Sequence, residues 1–210
     1  MKHTLLILLF ATSIAYAQST VENFRDVAGQ PFFPKQYVDV NGTPYLFEDW
    51  TNSTITMKNG QALKGVRTNF NLVTNELLFL DAEGQAMVAN PIVIKSVEVE
   101  SPSQRKFVPT AAKNTFYEVI SSEGKATLVK YSRKVIMETK PYNSATIQKN
   151  FVTDVSHMIV VDGKVTEVRS ANDIYEALGS ESLKEFAKKE RLKQKSVESW
   201  IKIVNYYNSN

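Results

Sequence analysis

Apolar and polar residues alternate over most of the chain, with a period of two. Val97 and Val99 alternate with Glu98 and Glu100. Thr127-Leu128-Val129-Lys130-Tyr131 lies in a further strand-like run. Such alternation marks strands with one face in a core and one in water. Leu77 to Leu80 is continuously apolar between Glu76 and Asp81, which predicts a strand covered on both faces. Phe116 to Ile120, Ala126 to Tyr131 and Val155 to Val161 are further strand candidates.

Turn dipeptides punctuate these runs. Asn41-Gly42, Asn59-Gly60 and Asp162-Gly163 are the strongest hairpin signals, and Glu83-Gly84 and Glu123-Gly124 are weaker ones. A two-residue loop at Asn59-Gly60 pairs Met57 with Ala62 and Ile55 with Lys64. Ile55, Met57, Ala62, Val66 and Phe70 then share one face, and Thr54, Thr56, Arg67 and Asn69 the other. Lys64 is the misfit in that register.

From about Ser170 the period changes to that of helices. Asn172 is a cap for a first helix carrying Ile174, Tyr175 and Leu178, with Gly179 after its end. Ser182 and Glu185 have capping-box spacing for a second. Ser196 caps a third, whose apolar stripe is Val197, Trp200, Ile201 and Val204. The fold class expected is α+β: an antiparallel hairpin or meander sheet, or a partly open barrel, with a short C-terminal helical tail. The β-rich domain spans 18–171 and the helical segment 172–210.

Residues 1–17 depart from both patterns. Lys2 and His3 precede the apolar run Leu5 to Phe10, and Ala15-Tyr16-Ala17 fits a signal-peptidase site. The apolar stretch gives way to Gln18, Ser19 and Thr20, which is short for a membrane span of about 20 residues. The expectation is a cleaved signal peptide, an exported protein in the periplasm or outside the cell, and no transmembrane segment after cleavage.

Composition narrows the chemistry. The 210 residues include no cysteine and two histidines, one of them within the leader. Disulfides, a thiol nucleophile, a lipoprotein anchor and multi-histidine metal sites therefore lack their residues. The formal charge is +3, with nine basic and three acidic side chains between 101 and 150. Those basic residues alternate with apolar ones, as on the solvated face of strands, and no nucleic-acid partner is expected. No cofactor is expected either, since phosphate loops and dinucleotide fingerprints are absent from the sequence. No metal site and no catalytic residue is assigned.

Three features remain as candidates. His157 lies in a strand pattern opposite Val168, without a G-x-S-x-G elbow to supply a nucleophile. Glu48-Asp49, flanked by Phe47 and Trp50, is the best local carboxylate pair, and a neighbouring tryptophan suits sugar stacking. Adjacent strand residues point to opposite faces, which argues against the two acids acting as one pair. Phe32, Tyr37, Tyr45, Phe47 and Trp50 make this region unusually aromatic. Exposed, they form a ligand or partner surface; buried, they are core.

The block Gly42-Thr43-Pro44-Tyr45-Leu46-Phe47-Glu48-Asp49-Trp50 leads through Asn59-Gly60 to Asn75-Glu76-Leu77-Leu78-Phe79. With the ending Lys193-Gln194-Lys195 to Tyr206-Tyr207-Asn208, it resembles small exported proteins of Bacteroidota. That resemblance implies a Gram-negative envelope protein and carries no catalytic residue. The first function class expected is a non-enzymatic envelope module, binding a protein, a glycan or a hydrophobic ligand through its β-domain. A carboxylate-dependent glycan hydrolase and an open-barrel carrier of a hydrophobic ligand are the alternatives.

Overall fold

The computed structural model describes residues 28–100, 104–110, 115–140 and 147–210. The expected signal peptide at 1–17 lies outside the described residues. Twelve strands among them form one open sheet. These are β1 (Ala28–Pro31), β2 (Val40–Asn41), β3 (Thr51–Met57), β4 (Ala62–Asn71), β5 (Glu76–Leu80) and β6 (Ala86–Ala89). They continue as β7 (Ile94–Val99), β8 (Arg105–Pro109), β9 (Phe116–Val119), β10 (Ala126–Thr139), β11 (Gln148–Val161) and β12 (Lys164–Val168). Helices α1 (Ala171–Leu178), α2 (Ser182–Lys189) and α3 (Val197–Ser209) follow. The order across the sheet is β1-β6-β5-β4-β3-β7-β8-β9-β10-β11-β12, with β2 joining β11 in parallel. All other pairings are antiparallel; β3 to β6 and β7 to β12 are runs of consecutive strands joined through the non-consecutive pair β3–β7, so the architecture is α+β with an open, mostly antiparallel sheet.

The sheet curls strongly. Phe70 on β4 and Phe107 on β8 are three strands apart, about 14 Å in a flat sheet. Their ring centroids nevertheless lie 4.3 Å apart. The concave face holds a first core cluster that includes Ile55, Val66, Phe79, Val97 and Phe116. A second cluster joins Leu128, Ile159 and Val168 to Ile174, Leu183, Trp200 and Ile203 of the helices.

One cross-strand row explains the separation of the two cores. Val97, Phe107, Glu118, Lys130, His157 and Val168 are paired in succession from β7 to β12. Directly paired residues share a sheet face. Apolar residues therefore end the row, and an ionic and imidazole segment occupies its middle. Glu118 accepts from Arg105 Nε at 2.9 Å and pairs with Lys130 Nζ at 2.7 Å. Burial opposes ionisation of Glu118, but Arg105 and Lys130 outweigh it and hold the carboxyl below its ordinary range.

Several expected turns are re-registered. At Asn59-Gly60 the closing pair is Met57 with Gln61, so the loop has three residues and Gly60 takes φ +90°. Ile55 then faces Leu63 rather than Lys64. A bulge at Gly65, φ +69°, shifts the alternation again and turns Val66, Thr68 and Phe70 inward. Leu63 is buried where Ala62 was expected, and Lys64 is exposed and no longer a misfit. Asn41-Gly42 makes no hairpin, because Asn41 pairs with Asn150 of β11. Asp162 and Gly163 do form the expected two-residue turn, with φ of +49° and +78°.

Helix starts also differ. The N-cap of α1 is Ser170 rather than Asn172. The Asp173 carboxylate accepts from the N–H groups of Ser170 and Arg169 at 2.7 and 2.8 Å, which fixes the start two residues earlier. Ser182 lies inside α2, whose cap position is Glu181 without a side-chain bond. Ser196 caps α3 as expected, accepting from Ser199 N–H. Gly179 closes α1 in the left-handed region at φ +60°.

Candidate functional site

The candidate site arises from a mismatch in strand length. Tyr45 bridges Asn71, and Thr51 pairs with Thr68. Six steps along one segment thus oppose three along the other, and the stretch Phe47 to Trp50, which carries the three surplus residues, bulges away from the ladder. Such an excursion leaves backbone groups without ladder partners. Asn69 of β4 supplies them. Its Oδ1 accepts from Phe47 N–H at 3.2 Å, and its Nδ2 donates to Phe47 O at 3.0 Å and Asp49 O at 3.4 Å. Asn69 is buried beneath the segment it holds.

The bulge directs its side chains in two ways. Phe47 turns into the first core and is buried, with the Arg105 guanidinium 5.3 Å from its ring centroid. Glu48 and Asp49 stay exposed, and Trp50 is half-buried. Asn52 of β3 faces Arg67 of β4, and both are exposed. These groups line an open groove of about 740 Å³. Ligand sites of this size are common. Its formal charge, from Glu48, Asp49 and Arg67, is −1.

The polar ends in this groove are not consumed among the described residues. Among the described residues, Arg67, Glu48 and Asp49 form no ion pair, and the Asn52 amide and Trp50 indole N–H have no hydrogen-bond partner. Elsewhere on the sheet several charges are mutually engaged, whereas Lys64, Lys95 and Lys164 stand, like Arg67, without an ion pair among the described residues. Lys106 meets Glu98 and Glu123, Arg133 meets Asp154, and Lys149 meets Glu138. The groove therefore presents a guanidinium and an indole as donors, two carboxylates as acceptors, and an amide as both.

The five aromatic candidates do not form one surface. Phe47 and Trp50 meet at the groove. Tyr37 packs edge-on against Phe151 of β11, with centroids 5.1 Å apart. Tyr45 lies between these places, and burial, then Tyr37, pushes its phenol above the ordinary value. Its carbonyl accepts from Lys134 Nζ at 2.6 Å. Phe32 lines a separate groove of about 330 Å³ with Phe33 and Lys35.

His157 lies opposite Val168, and its ring meets Trp200 edge-on at 5.5 Å. Burial, then Lys130, lowers its pKa. The outer halves of β10 and β11 form a ribbon, joined by β2 at Lys149 and Asn150, that exposes Val135, Ile136, Met137 and Val155. Trp200 and Val204 belong to the second core, and the Trp200 indole donates to Gln194 O at 2.8 Å.

Arg67 and Asn52 line the groove and Asn69 lies buried beneath it, and sequence reasoning singled out none of the three as functional. An asparagine beside Phe70 in a strand-like run is the one signal for Asn69. Its role becomes visible only with the six-against-three pairing. Among the described residues no cluster of three metal-ligating side chains occurs, and no helix is long and apolar enough to cross a membrane. No family profile, curated protein or solved structure matches the chain.

Proposed function

We propose that the chain is an exported, non-enzymatic binding module of the cell envelope, and that the groove between Trp50 and Arg67 is its ligand site. One observation carries this reading. Donors and acceptors without a partner among the described residues converge in one groove beside a half-buried indole. These exposed groups are satisfied by water in the free chain, so they remain available to a ligand without cost to the fold. The leader sequence supports export. The arrangement of Glu48 and Asp49 as exposed neighbours favours binding over glycan hydrolysis, which needs two acids facing each other across a bond.

The test is retention on isolated cell envelopes from a Bacteroidota host. The processed chain is expected to sediment with the envelopes. Trp50→Ala and Arg67→Ala, each checked for a native circular dichroism spectrum, are expected to stay in the supernatant. Equal retention of all three proteins, or retention of none, overturns the reading.

A further inference from the structure

This inference rests on the reading of the groove as a ligand site, and it concerns the class of ligand. We infer that the groove takes a neutral, hydroxyl-rich saccharide with one ring face laid on Trp50. Trp50 supplies a flat apolar wall with a donor N–H at its edge. A sugar ring has an apolar C–H face and a rim of hydroxyls, so it matches a wall of that kind.

The polar residues select further. A carboxylate only accepts hydrogen bonds and a guanidinium only donates them. A hydroxyl does both, so a row of hydroxyls satisfies Glu48 or Asp49 and Arg67 in turn. The bidentate fork of Arg67 fits two adjacent hydroxyl oxygens. The Asn52 amide, directly opposite Arg67, reads either polarity. An anionic polymer satisfies Arg67 but is repelled by both acids, since the groove's formal charge is −1. An apolar ligand leaves every one of these polar groups desolvated without a partner.

The shape of the groove is also fixed by the fold. Asn69 pins the backbone at Phe47 and Asp49, and Phe47 is anchored in the core. Little ordering is then left for the ligand to impose, which favours the weak contacts on which saccharide binding depends.

The experiment is calorimetric titration of the processed chain with cellohexaose, xylohexaose, maltohexaose and a galacturonate hexamer. At least one neutral hexamer is expected to bind saturably. Trp50→Ala is expected to weaken that binding at least 10-fold, and Arg67→Ala about 5-fold. Asp49→Asn, a subtler change that keeps the fold, is expected to weaken it severalfold without producing uptake of the galacturonate hexamer. Preference for the galacturonate hexamer, binding insensitive to Trp50 and Arg67, or no binding by any hexamer overturns the inference. Trp50-dependent envelope retention with no hexamer binding sinks the saccharide assignment alone. Loss of envelope retention removes the ligand site itself.

Discussion

One side chain, that of Asn69, satisfies both backbone groups of Phe47: its amide oxygen accepts the Phe47 N–H, and its amide nitrogen donates to the Phe47 carbonyl. Asn69 thereby takes the place of a strand neighbour where the ladder is interrupted. Asn69→Ala is expected to cost about 2–3 kcal/mol, because it strands buried backbone groups. Asn69→Asp keeps the acceptor, loses the donor and buries a charge, so it is expected to cost at least as much. Chemical denaturation of both variants checks this. A change below about 0.5 kcal/mol in Asn69→Ala contradicts the role.

A second contact of this kind lies at the far end of the sheet. A Cβ added at Gly124 would sit 2.6 Å from Asn208 Cγ and 2.8 Å from its Oδ1. The Asn208 side chain is not free to give way. It accepts from Ala126 N–H and donates to the Ala126 and Ser122 carbonyls. Gly124→Ala is therefore expected to cost about 1–3 kcal/mol. In the Asn208→Ala background the same change is expected to cost less, since the Cγ and Oδ1 contacts are gone. Strictly additive losses in this double-mutant cycle contradict the arrangement.

The polar middle of the cross-strand row predicts a two-stage loss of stability in acid. His157 titrates below its ordinary 6.5 in the fold, so the unfolded chain binds its proton first. Its contribution is complete above pH 6.5 and declines as pH falls toward the lowered value. Glu118 is held below the ordinary carboxylate value, so its contribution persists to lower pH and is lost as pH falls through that depressed value. His157→Phe is expected to remove the first stage and leave the second. Glu118→Gln is expected to remove the second and to cost about 2–3 kcal/mol at neutral pH, with Arg105 and Lys130 left unpaired. Urea unfolding at successive pH values separates the two. An unchanged slope between pH 6.5 and 5 in His157→Phe contradicts the assignment.

The features legible in the sequence were those set by local periodicity. Leu77, Leu78 and Phe79 form a strand buried on both faces, Ser196 caps the last helix, and Asp162-Gly163 turns as its residue types require. His157 lies opposite Val168 as the hairpin register implies. What was not legible depended on which strand meets which. Asn41-Gly42 has hairpin chemistry, but its flank finds β11, 109 residues away. Val66 and Phe70 face inward as the alternation implied, but the register that brings them there runs through a bulge at Gly65 that the alternation does not show. The candidate site divides in the same way. Phe47, Glu48, Asp49 and Trp50 stood out by residue type, whereas Arg67 and Asn69 join them only through the extra residues opposite Thr68 to Asn71.

The central claim is that the bulge at Phe47 to Trp50 forms a ligand site. Hydrogen–deuterium exchange tests it most directly, comparing the processed chain alone and with solubilised envelope polysaccharide. The expected result is added protection confined to residues 46–52 and 66–69, and its absence in Trp50→Ala. Protection on the ribbon of β10 and β11 instead, or no protection anywhere, contradicts it.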